Sequence, residues 1–208
     1  MSRLILRGAR FPGDIAIEDG KITALGTIEV LSGDSVLDCE GDIVTAGLVN
    51  THHHLYQWMT RGEATGCNLF DWLVHLYPVW NELTVEDVYI AALVGLGELA
   101  ATGCTTASDH HYLVPGGDDR VFDAIVEASK QVGIRLFLSR GSMDLGESKG
   151  GLPPDRVVED KDSILSSTKS VAERHHDGDM VHVVVAPCSP FSVSTELMVE
   201  SAELARQL

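Results

Sequence analysis

Basic residues are scarce. The 208 residues carry 15 Lys and Arg against 31 Asp and Glu, a formal net charge of −16, with the acidic residues spread along the chain. A nucleic-acid backbone or an anionic membrane needs a positive footprint, so neither is expected as a partner. Cysteines are few and scattered: Cys39, Cys67, Cys104 and Cys188 form no C-x-x-C pair. That spacing argues against a disulfide-stapled secreted domain and for a reducing cytoplasm. No apolar run approaches the roughly 20 residues of a membrane helix. At the N-terminus, Met-Ser-Arg-Leu-Ile-Leu-Arg-Gly breaks its apolar residues with charge and glycine before a secretory leader's core can form. Aromatics make up only 6%, yet hydrophobic residues reach 44%, enough to bury a sizeable core in one or two globular domains.

What is present falls into two patterns. Residues 1–45 hold short β-like runs, Leu4 to Leu6, Ile15 to Ile17, Ile22 to Leu25 and Ser35 to Leu37. Turns at Pro12-Gly13, Asp19-Gly20, Ser32-Gly33 and Glu40-Gly41 separate them, and Asp19-Gly20 is a hairpin signal. This segment is predicted to be a small antiparallel sheet.

Residues 46–208 alternate apolar strands with helices, the mark of a parallel β/α array. The first strand is expected over Ile43 to Asn50, followed by a helix from Leu69 to Tyr77 that Pro78 ends. Thr84, with Asp87 three residues on as in a capping box, starts a helix through Ala101, and Gly103 stops it. Further strands are predicted at Cys104 to Ser108, Ile134 to Leu138 and Val181 to Ala186, the last so continuously apolar that cover on both faces is expected. Helices alternate with them: Asp119 to Val132 before Gly133, Asp162 to His175, and one from Ser194 still running at Leu208. Four β/α units result where a closed barrel needs eight, so the N-terminal part of a longer barrel is expected, with an open four-unit sheet as the alternative.

Three consecutive histidines, His52, His53 and His54, follow the first strand at its C-terminal end, where β/α proteins place their active sites. In an extended chain residues i and i+2 share a face, so His52 and His54 can converge on one divalent metal while His53 turns away. A polar strand end with fortuitous metal affinity would show the same run.

The stretch Ala46-Gly47-Leu48-Val49-Asn50-Thr51-His52-His53-His54 resembles the Pro-Gly-Phe/Leu-Ile/Val-Asp/Asn-x-His-x-His signature of the amidohydrolase superfamily, with Ala46 in place of the usual proline. That resemblance implies a small β-sandwich segment over residues 1–45 and the N-terminal half of a metal-dependent (β/α)8 TIM barrel over 46–208. With Ser108-Asp109-His110-His111-Tyr112 and Ala186-Pro187-Cys188-Ser189-Pro190-Phe191, the chain is most similar to the branch of 8-oxoguanine deaminases and related nucleobase and aminotriazine deaminases. The implied reaction is hydrolytic deamination of an aminated heterocycle, 8-oxoguanine or a related purine first. Triazine dechlorination or deamination, cyclic amide hydrolysis, or a catalytically incomplete metal-binding fragment are the alternatives. The implied cofactor is one divalent metal, zinc first and iron second, on His52 and His54. The family's remaining ligands and acid–base residues lie beyond Leu208, so no catalytic residue is expected within this chain, and the chain alone is expected to be inactive. The expected partner is a small heterocyclic substrate, and a homo-oligomer is compatible with the sequence.

Four residues are the expected substrate contacts: Gln57, His111, taken over its neighbour His110 as the inward-facing one, Cys188, and Trp80, which shares its case with Trp72. Each has a plainer reading, as a solvated amide, a structural histidine, a packed thiol or a core anchor. The Gly- and Pro-rich loop from Ser139 to Asp160 reads equally as a lid or as a surface excursion.

Overall fold

The computed structural model describes residues 3–208; Met1 and Ser2, where the reading of the N-terminus begins, lie outside the described residues. Among the described residues no helix is long and apolar enough to cross a membrane. The chain divides into two compact units, Met1–Ala46 and Gly47–Leu208.

The first unit is one four-stranded sheet in the order β3-β2-β1-β4, from β1 (Leu4–Arg7), β2 (Asp14–Glu18), β3 (Lys21–Gly26) and β4 (Ser35–Asp38). The β2–β3 hairpin turns on Asp19 and Gly20, both at positive φ (49° and 75°), as its tight twist requires. The sheet is mixed rather than wholly antiparallel: β1 pairs antiparallel with β2 but parallel with β4. The connection from Lys21 to Ser35 passes through β3, at the far edge, and carries the chain back across the sheet. Periodicity finds strands but does not fix the order in which a long connection returns them.

The second unit is a parallel sheet in the order β5-β6-β7-β8. Its strands are β5 (Leu48–Asn50), β6 (Cys104–His111), β7 (Arg135–Ser142) and β8 (Val181–Pro187). A 3-10 helix, Leu55–Thr60, and helices α1 (Leu69–Trp80) and α2 (Val85–Ala101) follow β5; α3 (Arg120–Val132), α4 (Lys161–His175) and α5 (Thr195–Gln207) follow the later strands. Thr84 and Asp87 form the reciprocal capping box, and Gly133 closes α3 at φ 79°. Between sheet and helices lies a continuous core built on Leu96, Phe122, Ile125, Leu136 and Val171, where burying each large side chain contributes roughly 1.5–3 kcal/mol.

Three expectations change. Strand β5 is only Leu48–Asn50, because Ile43 instead bridges to Phe11 within the first unit. Helix α1 passes through Pro78 to Trp80. The carbonyl of Val74, which loses its donor to the proline, belongs to an exposed residue, while fully buried Trp80 anchors the last turn. Strand β8 is half-covered, with Val184 37% exposed, because it forms the outer strand of this sheet.

Candidate metal and substrate site

The C-terminal ends of β5 and β6 build the site together. Parallel pairing sets Asn50 beside Ala107, and beyond it the chain stays joined to β6, the His110 N–H donating to the His53 carbonyl at 2.8 Å. The rings of His52 and His54 stand edge to face with centroids 4.9 Å apart. His53 turns aside, parallel to Trp58 at 6.5 Å, with the Trp58 indole N–H 3.4 Å from its Nε2.

His54 is oriented by a carbonyl. Its Nδ1 lies 2.7 Å from the His110 oxygen, and because a carbonyl only accepts, the proton sits on Nδ1 and the Nε2 lone pair is left for a ligand. Burial pushes the His54 pKa down to about 4, so the imidazole is neutral at neutral pH, the form that binds a metal. Among the described residues no group of three or more His, Cys, Asp and Glu is placed to hold a metal. The donors present therefore fit one half of a metal site: two imidazoles, one with its outer nitrogen free, short of the three protein ligands usual for catalytic zinc.

Beside the pair opens a cavity of about 600 Å³ lined by all three histidines together with Gln57, Trp58, Arg61, Glu63 and Trp72. Gln57 reaches it through its amide, which also lies 3.4 Å from the Tyr56 hydroxyl. The Arg61 guanidinium lies 4.6 Å above the Trp58 ring.

Three expected contacts are placed elsewhere. Trp80 is fully buried, its indole N–H donating to Thr60 Oγ1 at 2.9 Å, and it packs edge-on against Tyr56 and Trp72; it is a core anchor, and Trp72 is the tryptophan that meets the cavity. His111 is 1% exposed and packs between Tyr56 and Phe122 of α3. Strand alternation gives Ala107, Asp109 and His111 to the helix-facing side and Thr106, Ser108 and His110 to the other. His110 is thus the inward histidine, its Nε2–H donating to the Ala186 carbonyl of β8 at 2.9 Å. Cys188 lies just past β8, half-buried against the clusters around Tyr112 and Leu197 and outside the cavity lining, and burial pushes its thiol pKa up.

Sequence reasoning passed over Trp58, Arg61 and Tyr112, and took His111 rather than its neighbour His110 as the inward histidine. Tyr112 is buried with its ring edge-on to His54 at 5.3 Å, walling the site. For His110 a signal existed in the period of two along β6, but nothing in the sequence says which face is inner.

The model of the amidohydrolase family matches residues 43–208. The chain is 46% identical over 201 residues to an 8-oxoguanine deaminase of Pseudomonas aeruginosa, covering 93% of this chain and 45% of that protein. It is 36% identical over 217 residues to the hydroxydechloroatrazine ethylaminohydrolase of Pseudomonas sp. (strain ADP), covering 94% of this chain and 44% of that one. Among solved structures, the atrazine chlorohydrolase of Arthrobacter aurescens TC1 complexed with zinc superposes with a TM-score of 0.89 at 26% identity, over 98% of this chain and 51% of that chain. The chain spans about half the length of these relatives, and its four parallel β/α units have the fold of the N-terminal part of a (β/α)8 barrel. With the family model matching most of its length and a histidine pair at the strand end where the motif predicts it, the chain belongs to the amidohydrolase family.

Proposed function

We propose that this chain is the N-terminal part of a metal-dependent aminohydrolase that removes an amino group from a nitrogen heterocycle, with 8-oxoguanine or a related oxidised purine as substrate. The observation that carries the proposal is the His52–His54 pair, with the His54 tautomer fixed by the His110 carbonyl beside a cavity of about 600 Å³. The 46% identity to an 8-oxoguanine deaminase favours the purine over other heterocycles.

In this reading His52 and His54 hold a divalent metal, zinc first and iron second, which when bound supplies Lewis-acid activation of water. Trp72 offers an aromatic wall to a flat ring, and the Gln57 amide offers both a donor and an acceptor to a ring nitrogen or carbonyl. His110 ends β6 and Cys188 lies just past β8; neither lines the cavity. The carboxylates that move protons are supplied by residues outside these 208. A second reading, hydrolysis of an aminotriazine, is favoured by the 36% identity to a hydroxydechloroatrazine ethylaminohydrolase.

The test compares this chain with the protein encoded when the reading frame of the source DNA is extended downstream. The extended protein is expected to hold about one metal and to release ammonia from 8-oxoguanine, and the 208-residue chain to release none. Release from a hydroxylated aminotriazine but not from any purine would select the second reading. No release from either class would overturn both.

A further inference from the structure

The end of β6 grips the histidine segment at three successive points. His110 N–H donates to the His53 carbonyl, the His54 Nδ1–H donates to the His110 carbonyl, and the Leu55 N–H donates to Asp109 Oδ1 at 2.8 Å. On the β6 side the first two use backbone atoms, which any residue at position 110 would provide. The third depends on one side chain.

That side chain is expensive. Asp109 is completely buried, its second oxygen has no hydrogen-bond partner, and among the described residues no cation forms an ion pair with it. Burial pushes its carboxyl up to about 7. A core position that only needed filling would be served better by an apolar residue of similar size.

The local geometry supplies a reason for the carboxylate. The 3-10 helix Leu55–Thr60 begins directly after His54, and the first N–H groups of a helix have no acceptor within it. Ordinarily the side chain of the preceding residue accepts such a bond. Here that residue is His54, whose ring is turned to the His110 carbonyl and makes no cap. The cap must come from elsewhere, and Asp109 on the neighbouring strand provides it.

We propose that Asp109 is a positioning residue for the His52–His54 pair: its Oδ1 caps the Leu55 N–H in place of His54, leaving the His54 ring free to serve the metal. This rests on the reading of His52 and His54 as metal ligands. Leu55 is 1% exposed and packs in the core of the second unit, so the bond ties the residue next to His54 to rigid structure on both its backbone and its side chain.

The test uses the protein extended through the downstream reading frame, with the 208-residue chain measured beside it. Zinc affinity is measured by competition with a chromogenic chelator, and protection of the Leu55 amide by hydrogen exchange, for the parent, Asp109→Asn, Asp109→Leu and His54→Ala. Asparagine keeps an acceptor at Oδ1 and is expected to hold zinc within about twofold of the parent with Leu55 still protected; leucine is expected to expose the amide and weaken zinc by about 10–100-fold, the usual loss for a residue that orients a ligand. Leucine holding zinc as the parent does overturns the proposal, and so does asparagine losing zinc and Leu55 protection together. If the leucine variant does not fold, Asp109→Ala, which also removes the acceptor to the Leu55 N–H, takes its place with the same two readouts and the same overturning result. His54→Ala separates the two layers: zinc unchanged in that variant overturns the metal reading itself, whereas zinc lost there but retained in Asp109→Leu overturns only the role of Asp109.

Discussion

Two segments leave the same end of the parallel sheet, one after β5 and one after β7, and they are built to opposite ends. The segment after β5 keeps its polar side chains available: His52 is exposed, Gln57, Trp58 and Arg61 line the cavity, and three hydrogen bonds to β6 hold the histidines. The segment after β7 is spent on its own anchorage. The Arg140 guanidinium, fully buried, grips both oxygens of Glu159 at 2.9 and 2.7 Å. Asp144 accepts from Ser194 N–H at 2.7 Å, and Leu152 N–H donates to the Phe191 carbonyl at 2.9 Å. The glycines and prolines that allow this loop to read as a lid instead let it fold back on the protein, and its first residues, Ser142 to Asp144, are buried. Loop composition reports which conformations the backbone can reach, and anchoring decides whether it moves.

The comparison can be broken most forcefully at Arg140. Arg140→Met leaves the Glu159 carboxylate nearly buried without its partner, and a loss of about 3–5 kcal/mol is expected in urea unfolding. Zinc affinity per folded molecule should stay within a factor of about two, far below the 10–100-fold loss expected when a ligand's support fails. A matching loss of zinc would show that the two segments are coupled.

On the other side of the comparison, Asp109 gives the β5 segment an anchor that titrates. Its pKa rises from an ordinary value of about 3.9 to about 7 in the folded protein, so the folded state holds this proton more tightly than the unfolded chain does. The resulting stability is fully present below about pH 4 and is lost as pH rises through about 7. Urea midpoints from pH 5 to 8 should therefore fall more steeply in the parent than in Asp109→Asn; equal slopes would remove Asp109 as the source.

A smaller effect is expected from removing one imidazole. His54→Ala should weaken zinc by at least about tenfold, roughly 1.4 kcal/mol, and, by deleting the bond from Nδ1–H to the His110 carbonyl, should cost about 1 kcal/mol in urea unfolding. The smallest change is expected at Thr84→Ala, which deletes the capping box of α2 for about 1 kcal/mol and leaves zinc binding untouched.

The nearness of one histidine pair was legible because strand geometry is strict: residues i and i+2 of an extended chain share a face, and the His52 and His54 rings stand 4.9 Å apart. Tryptophan was legible as a type but not as a position. Trp72 and Trp80 are eight residues apart on α1, about 80° around a helix turning about 100° per residue. Only the packing of Tyr56 and Thr60 against Trp80 shows which of them is core. The choice between His110 and His111 failed for a similar reason, since adjacent residues on a strand face opposite ways and both faces of β6 carry polar groups.

The sequence by itself determined the alternation of strands and helices, the caps that start and stop them, and the spacing that brings His52 and His54 together, because each depends on the chain's own local geometry. Tertiary structure decided what local geometry leaves symmetric: that β4 returns parallel to β1, that His110 rather than His111 faces inward, and that the loop after β7 is fastened. It also decided that the helix after His54 takes its cap from Asp109, 54 residues away along the chain. Such pairings join residues whose separation in sequence carries no information about their distance, and only the packing of helices against a parallel sheet settles them.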